Sequence, residues 1–211
     1  QSSEEKKVKK EDTQKLDSES IKNIELKQSI KIEDSSLGKD TNEGKVFGIY
    51  DPADNNFNLN MWSSTKAEDV KASLKRIEKI KLSKTSSEIL ERILLSFSYP
   101  PEGMNEDEFV NMKINWLVKN KKTVLIESFL KQNKQFKGKS KAVQFLVDEN
   151  IAKAYIKEGC EKIEFIDAKV KDSYLEKFKI YCLIFNDKKS EAQLLLDLLR
   201  EQKKSDKFYD D

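Results

Sequence analysis

From Thr65 onward, apolar side chains return every three or four positions, the spacing of a helix that buries one face. Val70, Leu74, Ile77 and Ile80 make the first such row. Thr65-x-x-Glu68 ahead of it has the form of a capping box, so the first helix is expected to start at Thr65. A second box, Thr85-x-x-Glu88, predicts a helix lined by Ile89, Leu90, Ile93, Leu94 and Phe97 and ended by Pro100-Pro101. Asn105-x-x-Glu108 opens a third, with Phe109, Met112, Trp116 and Leu117 facing inward. Asn120-Lys121-Lys122 marks a break, after which a turn-rich segment carries Val124, Leu125, Phe129 and Leu130 towards Gly138. Ser140 is expected to cap a fourth helix that buries Val143, Leu146, Ile151, Tyr155 and Ile156 and stops at Gly159. The fifth holds Ile163, Ile166, Val170, Tyr174, Phe178, Tyr181, Cys182 and Phe185 and is broken by Asn186-Asp187. Ser190 caps a sixth, with Ala192, Leu195, Leu196 and Leu199 along its stripe.

The pattern predicts an all-α fold: a compact bundle of about six helices over residues 65–205, with short connections between antiparallel neighbours. Two different textures precede it. Residues 1–43 are lysine, acid, serine and asparagine without an aromatic ring, too poor in apolar side chains to offset the entropy of ordering, and are expected to form a disordered polar tether. Residues 44–64 carry Val46, Phe47, Ile49, Tyr50, Phe57, Leu59, Met61 and Trp62 at irregular spacing around Asp51-Pro52 and Asn55-Asn56. They read as an extended arm packing on the bundle, and residues 206–211 as a frayed tail.

Charge changes this picture little. The chain has 40 basic and 38 acidic residues among 211, and 37% of its side chains are charged. The tether holds nine basic and eleven acidic residues, leaving 31 and 27 for the remainder. Neither part has the concentrated positive field of a nucleic-acid binder. No apolar run approaches the ~18–20 residues of a membrane span. The chain begins at Gln1 without Met or a signal peptide, as expected of a processed or truncated form. Cys160 and Cys182 stand 22 positions apart; on one continuous helix they would lie about 33 Å from each other. Two separate thiols buried as small core residues are therefore expected, since bridging them would need a break between them.

Candidate chemistry is sparse. The chain contains no histidine, which removes Ser-His-Asp and Cys-His nucleophile systems and His-based zinc sites. No phosphate loop or dinucleotide fingerprint is present. Carboxylate pairs such as Glu106 with Glu108 sit in helix first turns, where the macrodipole favours them. Asp54-x-Asn56-x-Asn58-x-Asn60 has the alternation of a calcium loop, but Leu59 and Thr65 stand where that loop needs Gly and Glu, so turn chemistry is the reading preferred. No enzyme, cofactor or metal site is expected. Lys119-Asn-Lys-Lys and the 131–141 run KQNKQFKGKSK form a basic strip, read either as a solvated face or as a dock for an acidic partner or anionic glycan. The candidate partner-binding residues are Lys131, Lys134, Lys137, Lys139 and Lys141 of that strip, with Tyr50 and Trp62 of the arm, because Tyr and Trp are common interface anchors. Burial of the arm's rings against the helices is the competing expectation.

The stretches TKAEDVKASLKRIEKIKLSKTSSEILERILLSF (65–97) and NEDEFVNMKINWLVKNKKTVLIESFLKQN (105–133), on a Lys-, Glu-, Asn- and Ile-rich chain behind a polar tether, resemble Borrelia outer-surface lipoproteins. The resemblance is to the complement-regulator-acquiring and virulence-associated paralogous families. It is one of composition and layout over roughly residues 65–205. It implies a non-enzymatic virulence-associated surface antigen, anchored in the outer membrane by a lipidated cysteine upstream of Gln1 and facing outward. The partner implied is a host or tick protein, either a complement component or regulator or a receptor of gut or tissue. A monomer is expected, with a homodimer as the alternative. As a coil, a 43-residue tether reaches about 35 Å, enough to clear lipid headgroups. An intracellular or periplasmic scaffold for another bacterial protein is the other function class, and the upstream sequence separates the two.

Overall fold

The computed structural model describes residues 44–133, 136–166 and 172–205. The tether, Lys134, Val170 and the tail 206–211 lie outside the described residues. Eight α-helices are described, and no strand: α1 (Ala67–Ile77), α2 (Lys84–Leu95), α3 (Glu106–Lys119), α4 (Thr123–Gln132), α5 (Lys139–Ile151), α6 (Ile156–Lys162), α7 (Ser173–Phe185) and α8 (Lys189–Glu201). The fold is all-α, with two more helices than the apolar periodicity suggested.

Of the expected helix starts, the Asn105 cap is formed and the Thr65 and Thr85 boxes are not. Asn105 Oδ1 accepts from Glu108 N–H at 2.9 Å and starts α3, whose first turn carries Glu106, Asp107 and Glu108. Before α1, Thr65 and Lys66 instead run beside Glu102. Glu102 N–H donates to Thr65 O (3.0 Å) and Ala67 N–H to Glu102 O (2.8 Å), so a main-chain carbonyl satisfies the helix's first donor and no side chain caps it. In α2 the cap is Ser83, whose Oγ accepts from Ser86 N–H at 3.1 Å; Thr85 lies inside the helix. Ser140 and Ser190 are likewise inside α5 and α8, whose N-cap residues, Gly138 and Lys188, make no side-chain cap bond.

The additional helices come from misplaced breaks. The segment read as turn-rich is α4: Lys121, at φ 51°, ends α3 in a tight turn in which Lys122 N–H reaches back to Leu117 O, and a new helix starts at once. The expected fourth helix divides at Ala152–Tyr155. Ala154 there has φ 60°, and Gly159 sits within α6 rather than ending it. A 3-10 turn, Ile163–Phe165, then precedes α7, which is capped by Asp172 Oδ1 accepting from Leu175 N–H. α2 ends at Leu95, five positions before Pro100, because 96–98 go extended to pair with the arm.

The principal core lies around α3. Val110, Ile114 and Leu117 of that helix pack with Leu94 and Leu95 of α2, Ile126 and Phe129 of α4, and Val143 and Leu146 of α5, all buried. Phe47 of the arm is part of this core. Smaller clusters join Phe109 to Ala67 and Met104, and α7 to α8 through Ile180, Ala192 and Leu199.

Candidate functional site

The residues singled out from the sequence do not form one face. Lys131 is exposed on α4. Lys137 is also exposed, but its Nζ donates to Asp107 Oδ2 of α3 at 2.6 Å, and this carboxylate raises its pKa above the usual lysine value. Lys141 donates to Asn115 Oδ1 of α3 at 2.6 Å. Lys139 is buried, its ammonium 6.0 Å from the Phe136 ring centroid. Of the second basic run, Lys119 pairs with Glu78 and Lys122 with Glu91, both at 2.8 Å. Most of these lysines thus fasten neighbouring elements to one another.

In the arm, Tyr50 is half-buried, and its hydroxyl donates to Glu91 Oε1 at 2.9 Å. Burial and that carboxylate push its pKa up to about 12. Trp62 packs edge-on against Phe109, 6.4 Å between ring centroids. The asparagine-rich run forms turns: Asn56 has φ 57°, and Asn58 Oδ1 accepts from Asn60 N–H. Glu106 accepts from Lys45 N–H, and Glu108 pairs with Lys71.

The expectation of two separate thiols is overturned. Cys160 of α6 and Cys182 of α7 form a disulfide, with Cα atoms 5.5 Å apart. One helix running through both was the premise of the larger distance. α6 ends at Lys162 and its 3-10 extension at Phe165, and α7 starts at Ser173 as a separate helix packed against α6.

This placement fixes the orientation of α7, and with it the most conspicuous surface of the body. Tyr174, Phe178, Tyr181 and Phe185 follow one another at helical spacing along one side of α7. Phe178 and Tyr181 stack at 5.9 Å between centroids, and Tyr181 and Phe185 at 6.5 Å, with planes within 20° of parallel. Only Phe178 is buried, over Gly159 of α6. Tyr174 is 40%, Tyr181 42%, Ile184 53% and Phe185 53% exposed, against the expectation that this row faced inward. The Tyr174 hydroxyl donates to Asp148 of α5, so the row is held at its first turn by a hydrogen bond and near its end by the disulfide. Ile151 and Tyr155, also expected to be buried, are exposed at the α5–α6 turn.

The sequence carried a signal for this. Every residue of α7 is apolar or aromatic except Ser173, Glu176, Lys177 and Lys179, more than one buried face can absorb. Leu175, Phe178, Ile180 and Cys182 fill the inner side, Leu183 packs half-buried towards α8, and Tyr174, Tyr181, Ile184 and Phe185 remain outside.

A half-open apolar cleft of about 260 Å³ lies between α7 and α8, floored by Leu175, Leu195 and Leu199 and rimmed by Glu176, Lys179 and Gln202. Among the described residues, no group of three or more His, Cys, Asp and Glu side chains converges as a metal site would require. No helix among them is long and apolar enough to cross a membrane. No protein-family model matches this chain, and no curated protein or solved structure matches it.

Proposed function

We propose that this chain is a non-enzymatic binding protein that docks a protein partner through the aromatic row of α7. The observation that carries this reading is the exposure of Tyr174, Tyr181, Ile184 and Phe185 side by side on one helix. Aromatic rings are the commonest anchors of protein interfaces, and grouped exposed apolar side chains mark surfaces that meet something. The row is also pre-ordered. Ring stacking, the Tyr174–Asp148 bond and the Cys160–Cys182 bridge hold it, so a partner has little conformational entropy to remove.

The setting we propose is the outer surface of a spirochaete, with a lipid anchor upstream of Gln1 and a host or tick protein as partner. The resemblance to Borrelia surface lipoproteins supports it, and so does the disulfide, since such bridges persist mainly in oxidising compartments.

Two measurements test the reading. Protease shaving of intact cells that express the full-length protein, beside a periplasmic control, is expected to remove the protein and spare the control; survival of both sinks the surface location. The double variant Tyr181→Ser/Phe185→Ser is expected to lose affinity for the cognate serum or vector-gut protein by at least about tenfold. Its helicity and thermal midpoint should stay close to wild type. Unchanged affinity would remove α7 as the contact surface.

A further inference from the structure

The segment Lys45–Tyr50 is held in a groove between the end of α2, α3 and the end of α4 by an arrangement that reads its main chain. Asn133, buried just past α4, makes a two-point bond to a single residue: Gly48 N–H donates to Asn133 Oδ1 (3.2 Å), and Asn133 Nδ2 donates to Gly48 O (2.8 Å). Fully buried Lys113 of α3 donates to Phe47 O at 2.6 Å, and to Ser96 O on the opposite wall at 3.1 Å. Ile49 N–H and Tyr50 N–H both donate to Leu95 O, and Phe97 N–H to Tyr50 O. These bonds engage main-chain groups of residues 47–50 around a bend at Ile49, where two successive N–H groups turn to one carbonyl.

Two features add selectivity. The Phe47 ring is the one side chain of the segment that is buried, and it enters the principal core. At the next position a Cβ would stand 2.4 Å from Phe97 N and 2.6 Å from Phe97 Cα, which only glycine avoids.

We propose that this groove is a peptide-binding site for a segment with an aromatic residue followed by glycine and a bend, occupied in cis by the chain's own Phe47-Gly48. It combines main-chain bonds, which give affinity, with one side-chain pocket that gives specificity. Asn133 and Lys113 are both buried, polar and committed to the segment's backbone, as in a site built for a peptide. The arm is an intramolecular ligand whose tethering keeps the groove filled, and the same segment supplied separately takes its place once the cis copy is weakened.

The full-length Gly48→Val chain cannot seat its own arm. It is expected to bind a fluorescent peptide of residues 44–51 at least about tenfold more tightly than the wild-type chain, where the peptide must displace a tethered competitor. The same peptide with Val for Gly48 is expected not to bind. A Gly48→Val chain that keeps its helical circular dichroism yet binds the peptide no better than wild type overturns the proposal. Should that variant unfold, Phe47→Ser is read in the same way. Amide exchange of the wild-type chain gives a test free of substitutions. Gly48, Ile49 and Tyr50 are expected to open while α3 to α5 stay protected, and exchange of the arm only with global unfolding overturns the proposal.

Discussion

Lys113 is the residue whose environment departs most from its chemistry. It lies on the same side of α3 as Phe109 and Leu117, its Nζ 4.3 Å from the Phe109 ring centroid, and its neighbours are carbonyls and a hydroxyl rather than a carboxylate. Burial pushes its pKa down to about 7 from 10.5. Between those values the unfolded chain holds a proton that the folded chain has released, so stability rises with pH from 7 towards 10.5 and this contribution is flat below 7. The slope reaches at most about 1.4 kcal/mol per pH unit. Tyr50, raised to about 12, works in the opposite direction, but only above pH 10. Urea midpoints at pH 7, 8 and 9.5 are expected to climb in the wild type and to climb much less in Lys113→Met; equal slopes would show that Lys113 does not carry the dependence. The caps give a second contrast. Asn105→Ala removes a formed cap and is expected to cost about 1 kcal/mol, whereas Thr65→Ala, whose side chain caps nothing, should stay within about 0.5 kcal/mol in the same denaturation assay.

At the level of elements, α6 and α7 depend on each other. α6 has seven residues and buries little beyond Gly159, too short to be stable without its neighbours. The bridge to Cys182 closes a loop of 22 positions and is expected to contribute about 3 kcal/mol by restricting the unfolded chain. Reductant, or the Cys160→Ala/Cys182→Ala pair, should lower the guanidinium midpoint accordingly; a midpoint unmoved by reduction would mean that packing alone sets the α6–α7 corner. The same corner shows why element boundaries were harder to read than element identities. Ala154, Asp187 and Lys121 all adopt positive φ at helix ends without being glycine, so the residue that turns the chain does not mark the stop by itself. Asn186-Asp187 and Asn120-Lys121-Lys122 were legible because asparagine accompanies them. The stop at Ala152–Tyr155 was not.

Across the whole body, burial is uneven, and its stability should be too. α3, α4 and α5 supply most of the deeply buried side chains, while α1 buries only Ala67 and Val70, and α8 only Ala192 and Leu199. Native-state hydrogen exchange is expected to rank α3 to α5 as the last to open and α1 and α8 among the first. Uniform protection would contradict that order. The disposition also places the α7 row on a helix tied to the stable part through α5 and α6, so that a partner meets a surface with a fixed shape.

The sequence by itself determined the helical class, most helix positions, the Asn105 cap and the inward sides of α3 and α5, because these follow from local propensity and the 3.6-residue period. Only tertiary structure decided which apolar rows were covered. Ile89, Tyr181 and Phe185 have the spacing of core residues and lie outside, since no helix among the described residues covers that side, whereas Lys113 has the side chain of a surface residue and lies within. The disulfide and the Phe47-Gly48 groove each join residues far apart in the chain. Periodicity reports which side of a helix is apolar, and where the helices cross decides what that side meets.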